Sequence, residues 1–122
     1  MGNNKNPKRP YDLEERTFQF AKSVRLFIKT WPRSIANVED ARQLLKASGS
    51  VGANYIEANE ALSKKDFLMR IKISRKEAKE SAYWLRLILE TNDLRNLNEG
   101  KRLMQEADEL KKIFSAIAEK SK

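Results

Sequence analysis

Leu13, Thr17, Phe20, Val24, Phe27 and Trp31 recur in alternating steps of four and three. That spacing lays side chains along one stripe of a helix and turns them into a bundle. Asp12 can cap the first turn, where Glu14 and Glu15 are also favourable. Pro32 closes the element, because its ring restricts Trp31 and it has no N–H. Residues 33–38 then read as a loop, with Asn37 as the next predicted cap. A second stripe follows in Ala41, Leu44, Leu45, Ser48, Val51, Gly52, Tyr55 and Ile56. Gly49 and Gly52 each cost about 1 kcal/mol inside a helix relative to alanine. The apolar period nevertheless keeps its phase across them, so the predicted helix runs through and the small residues mark a closely approached face. A loop at residues 48–52 is the alternative.

Ser63 with Asp66 three residues later is a variant capping box. It opens a third stripe of Phe67, Ile71, Ser74, Ala78, Ser81, Leu85 and Ile88. Asn92 suits the left-handed conformation that often ends a helix. Asn96 with Glu99 forms another capping box, and Leu103, Ala107, Leu110, Phe114 and Ile117 give the fourth seam. The predicted helices span residues 12–31, 38–60, 64–91 and 97–119. They describe an all-α, up-down antiparallel four-helix bundle, one domain over residues 11–119 behind a flexible basic tail of residues 1–10.

The third predicted helix carries more than its seam. Met69, Ile73, Tyr83 and Leu87 face the other way, where a bundle helix should be polar. A long wet apolar strip is rare on a monomer, so these residues predict a subunit interface, with Phe18 and Leu26 on the first helix as the complementary surface. Lys65, Lys72, Lys79 and Arg86 recur every seven residues, roughly 10 Å apart along the axis. Such a ridge fits a phosphate backbone, and it equally fits a solvated flank. Lys5, Lys8 and Arg9 of the tail fit phosphate or a solvated leader in the same way. Asn54 and Glu57 are neighbours on the second helix. With Glu77 they predict a polar network to a basic residue of the third helix, or a solvated face.

Charge and missing residue types then narrow the function. Lys and Arg number 25 against 17 Asp and Glu, a net charge of +8 over 122 residues. That field favours RNA, DNA or an acidic protein face. The chain has neither Cys nor His, which removes disulfides, thiolate sites and the commonest general base and metal ligand. Glu57, Glu77 and Glu80 are the best carboxylate cluster for acid/base work or a metal, but salt bridging explains them more simply. No catalytic residue, metal site or cofactor is expected. No apolar run approaches the ~18 residues of a membrane span, and no apolar segment follows the basic start as in a secretory signal. A cytoplasmic location is the expectation.

The stretch SGSVGANYIEANEALSKKDF, followed by KISRKEAKESAYWLRLI, resembles the signature of the four-helix-bundle proteins encoded by intervening sequences of bacterial 23S ribosomal RNA genes. YDLEERTFQFAKSVRLFIK resembles the start of the same family, so the likeness covers roughly residues 11 to 118. That family is itself similar to the accessory variability protein of diversity-generating retroelements. The resemblance implies a bundle that assembles as a ring-like homopentamer, with no enzymatic activity. It also implies a nucleic acid, RNA or DNA, or a reverse transcriptase as partner. Where the family motif has Gly after its Glu, this chain has Ala58 after Glu57, so the helix should continue smoothly toward the turn.

Overall fold

The computed structural model describes residues 12–122, so Lys5, Lys8, Arg9 and the rest of the expected tail lie outside the described residues. Four helices follow one another: α1 (Leu13–Ile28), α2 (Ile35–Asn59), α3 (Lys64–Thr91) and α4 (Leu97–Lys120). Short connections at residues 29–34, 60–63 and 92–96 make sequential helices antiparallel neighbours. The backbones pair around a square as α1–α2, α2–α3, α3–α4 and α4–α1, with no close approach across the diagonal.

The helix ends follow local chemistry. Asp12 Oδ1 accepts from the Glu15 N–H at 3.4 Å, and Ser63 Oγ accepts from the Asp66 N–H at 3.0 Å. The first helix stops earlier than its period suggested. The Thr30 and Trp31 N–H groups bond back only three residues, to Phe27 and Ile28, and Thr30 Oγ1 also donates to the Phe27 carbonyl at 2.6 Å. The chain thus tightens out of the helix before Pro32, which disfavours helical geometry at Trp31. Asn37 is not the cap of α2. Ser34, extended in backbone, accepts from the Asn37 N–H at 3.0 Å. The Asn37 side chain is buried and donates to the Pro32 carbonyl and to Asn92 Oδ1, both at 2.8 Å. Asn92 in turn is extended, not left-handed, and its amide returns a bond to Asn37 Oδ1 at 3.1 Å. This reciprocal amide pair joins the α1–α2 turn to the end of α3. Asn96 stands at the cap position of α4 without a side-chain cap bond, and the Glu99 carboxylate turns to Arg102 at 2.8 Å and not back to Asn96.

The seams form the core. Leu13, Val24, Phe27, Leu44, Val51, Ile71, Leu85, Ile88, Leu103, Leu110 and Phe114 are all buried. Tyr55 meets Phe114 across the centre, ring centroids 5.7 Å apart. Some predicted seam positions are not fully buried; Trp31, Ala41, Leu45, Gly52 and Tyr55 are half-buried. Ile56 is exposed while Ala58 is buried, so the α2 stripe ends on the small residue. Phe67 and Ile117 are only half-buried at the edge of the core, where the end of the bundle leaves one side of each ring or chain uncovered.

Gly52 does lie inside α2. A Cβ built there would come within 2.7 Å of Thr17 Oγ1 and 3.0 Å of Thr17 Cβ, so only glycine permits this spacing between α1 and α2. Thr17 is itself buried and donates its hydroxyl to the Leu13 carbonyl at 2.6 Å, which leaves it little freedom to yield. Gly52→Leu should overpack the contact and cost about 1–3 kcal/mol or more. Gly52→Ala should cost less, and Thr17→Ala should recover part of that loss in the double variant. Thermal melts of the three variants check this, and a Gly52→Leu protein that melts with the parent would remove the close contact.

Candidate nucleic-acid interface

α3 is gripped on two flanks. On the α2 side, Ser74 Oγ donates to the Val51 carbonyl at 2.9 Å, and Arg70 Nη1 donates to Asn54 Oδ1 at 2.9 Å. On the α4 side, the Leu89 side chain lies where a Cβ on Gly100 would sit, 2.5 Å away. The buried line Ile71, Ser74, Ala78, Ser81, Leu85 and Ile88 runs between these flanks. The opposite face of α3 is left to solvent, and most of the predicted site residues occupy it.

That face holds two parallel stripes. Successive residues turn by roughly 100°, which sets Lys72, Lys79 and Arg86 on the side toward α4. Met69, Ile73 and Leu87 fall on the side toward α2, and Lys65 and Tyr83 share the crest. Met69 is 48% and Tyr83 58% exposed, while Ile73 and Leu87 are partly covered. On α1, Phe18 and Leu26 are 59% and 54% exposed. Lys65, Leu68, Met69, Lys72, Ile73, Arg75 and Lys76 together line a shallow groove along the first half of α3. Lys76 adds a cation to this face that the seven-residue period had left out.

Charge pairing divides the cations of this surface. Arg16, Arg42, Lys76, Arg86, Arg102, Lys111, Lys112 and Lys122 each have a carboxylate within ion-pair distance. Lys65, Lys72 and Lys79 are exposed and have none among the described residues. Arg86, the fourth member of the predicted ridge, does have one. Its Nε sits 3.0 Å from Glu90 Oε2, and that bond raises the guanidinium further above its ordinary value. The unpaired members of the predicted ridge are therefore Lys65, Lys72 and Lys79, with the paired Lys76 between them.

The predicted polar network forms only in part. Asn54 reaches Arg70 and also donates to the Ser50 carbonyl at 2.9 Å. Glu57 is exposed and joins neither residue, because three further positions carry it roughly 60° past Asn54 around α2. Glu77 lies against Lys76 at 3.9 Å and not against Asn54. Among the described residues no three His, Cys, Asp or Glu side chains gather as metal ligands, so Glu57, Glu77 and Glu80 do not form that cluster. No helix among the described residues is long and apolar enough to cross a membrane. The period had given no hint of the Arg16 contacts. Its Nε and Nη2 grip Glu106 at 2.7 and 2.8 Å, and Nη2 also reaches Glu109 at 2.9 Å, which ties α1 to α4.

Burial pushes the Glu77 carboxyl up, and the charge of Glu80 adds to the effect, against Lys76 and Lys46. A raised folded value means that the unfolded chain gives up this proton first. Stability is then lost as pH rises from the ordinary glutamate range through the folded value. Glu77→Gln should therefore raise the melting temperature at pH 7, and the gain should vanish below about pH 4. Melts at the two pH values check the sign.

The sequence profile of the 23S rRNA-intervening sequence protein family matches residues 10–116. Among solved structures, a protein of unknown function from the S23 ribosomal protein family of Bacteroides thetaiotaomicron superposes with a TM-score of 0.74. It is 26% identical, and the alignment covers 87% of this chain and 97% of that one. No curated protein matches the chain. The chain belongs to the 23S rRNA-intervening sequence protein family.

Proposed function

We propose that this family member is a non-enzymatic binding module that holds structured RNA, free or within a ribonucleoprotein, on the outer face of α3, and that it works as a ring-like homopentamer. The observation that carries the proposal is the unpaired run Lys65, Lys72 and Lys79, three exposed ammonium groups at helical spacing on a chain of net charge +8. A cation already held by a carboxylate gains little from a phosphate. A free one displaces condensed counterions from the nucleic acid and draws affinity from their release. The apolar residues beside the run supply the reason for assembly. Met69, Ile73, Tyr83 and Leu87 would be covered by the Phe18 and Leu26 surface of the next subunit, a heterologous contact that closes into a ring.

Binding of a stem-loop RNA, followed against salt concentration, tests the RNA half. Lys72→Glu combined with Lys79→Glu should weaken binding and lower the slope of log affinity on log salt by about 1.5 to 2. Unchanged affinity in a helical variant would return the lysines to plain solubility and favour an acidic protein, such as a reverse transcriptase, as the partner.

Light scattering tests the assembly. The expected mass is five times the 14.2 kDa of one chain, and Ile73→Asp should release helical monomers. A parent mass of one chain would overturn the ring. A variant that unfolds would place Ile73 in the core.

A further inference from the structure

We infer that the α1–α2 turn is a second docking site, built for a short acidic peptide segment of a partner protein that carries a bulky apolar side chain. Ile28, Trp31, Val38, Ala41 and Leu45 line an open groove of about 320 Å³ there, with Arg33 and Arg42 at its rim. Ile35 stands beside it, 90% exposed, and shares an adjoining hollow with Arg33, Ser34, Val38 and Glu39. Nothing in the fold needs an isoleucine at that place, because Ser34 already supplies the cap of α2. The Trp31 ring forms part of the wall, while its indole N–H is buried beneath it with no acceptor among the described residues.

Charge decides the character of the occupant. Between Lys29 and Lys46 stand Lys29, Arg33, Arg42 and Lys46 against Glu39 and Asp40. The Glu39 carboxylate approaches Arg42 no closer than 3.9 Å. The first turn of α2 carries no acidic residue, so the positive end of its dipole is unopposed. A nucleic acid offers phosphates to such a rim but no bulky aliphatic group for the apolar wall. An anionic peptide with one large apolar side chain meets both features, the cationic rim and the apolar wall. These residues belong to α1 and α2, so the site stands apart from the α3 stripe and does not depend on the RNA proposal.

A fluorescein-labelled peptide alternating Glu with Leu and Phe, titrated onto the full chain, tests the site by polarisation. Two control peptides replace Glu by Lys, or Leu and Phe by Ser. The acidic apolar peptide should bind in the micromolar range, and the controls should not. In a Trp84→Phe background, binding should shift the emission of Trp31. Arg33→Glu should weaken binding about tenfold. Ile35→Ser, a change at an exposed position that leaves the fold intact, should weaken it about fivefold. The Lys72→Glu, Lys79→Glu protein should bind the peptide like the parent. Equal binding of the lysine peptide, or no binding at millimolar concentration, would overturn the proposal. A fall in mass on Ile35→Ser would also overturn it, because the groove would then be covered by a second copy.

Discussion

The close approach of helix backbones at a few small residues sets the geometry on which the rest of the molecule depends. Gly52 lets α2 rest against Thr17 of α1, where a Cβ would collide at 2.7 Å. Ser74 brings α3 near enough to α2 for its hydroxyl to reach the Val51 carbonyl. Gly100 lets α4 slide under Leu89 and Phe27, with a Cβ excluded by 2.5 and 2.8 Å. The first two contacts share one level of α2, at adjacent residues, and the third lies near the end of the bundle; being on different helix pairs, together they fix spacing and register in a way that interchangeable leucines would not. The large residues then fill what the small ones leave: along α3, Ser74, Ala78 and Ser81 form one small-residue run between Ile71 on one side and Leu85 and Ile88 on the other. With α3 clamped by α2 and α4, its outer face must be presented to solvent or to a partner.

Much of this was legible because the bundle repeats itself. A four-three period over several turns places buried residues without knowledge of any neighbour, and the seams of α1, α3 and α4 follow it closely. The small residues of α2 were readable for the same reason, since the apolar phase survives Gly49 and Gly52. What escaped was set by partners distant in the chain. Asn37 looked like a cap because it is a short polar residue at the start of a periodic stretch. Its side chain is drawn instead to Asn92, fifty-five positions away, and Ser34 takes the cap. Asn92 had the composition of a left-handed end, but an extended backbone delivers its amide to Asn37. Arg16 carries no local signal at all, because its carboxylates lie on α4. The failed expectation for Glu57 is angular: it is a helix neighbour of Asn54, yet on the side turned away from Arg70.

Charge on this surface does two kinds of work. Arg16 with Glu106 and Glu109 bridges α1 and α4 with bidentate geometry, the arrangement in which an ion pair has directional value. The Arg86–Glu90 and Arg102–Glu99 pairs are local to their own helices and exposed, so they contribute little to stability. They do matter for binding, because each removes a cation from those available to an anionic partner. Subtracting them shows where on each face cations stay free. On the outer face of α3 these are Lys65, Lys72 and Lys79, and the α1–α2 turn holds a shorter excess around Arg33. A basic chain therefore does not imply a uniformly basic surface; internal pairing decides where the field remains.

The two stripes of α3 also answer an objection to placing assembly and nucleic-acid binding on one helix. A neighbour that buried the whole outer face would bury the lysines as well, and a desolvated unpaired ammonium is strongly unfavourable. The stripes, however, are offset around the axis. Met69, Ile73 and Leu87 lean toward α2, whose contact is marked by Arg70 and Asn54. Lys72 and Lys79 lean toward α4, in the direction of Ala82 and the groove it shares with Lys101 and Gln105. A subunit that approaches from the α2 side can cover the apolar strip and leave the lysine stripe at its rim, still wet. Repeated around a ring, that arrangement would set one short basic run per subunit along a common edge. Phosphates would then meet several runs at once, and weak contacts of a few lysines each would add through multivalency.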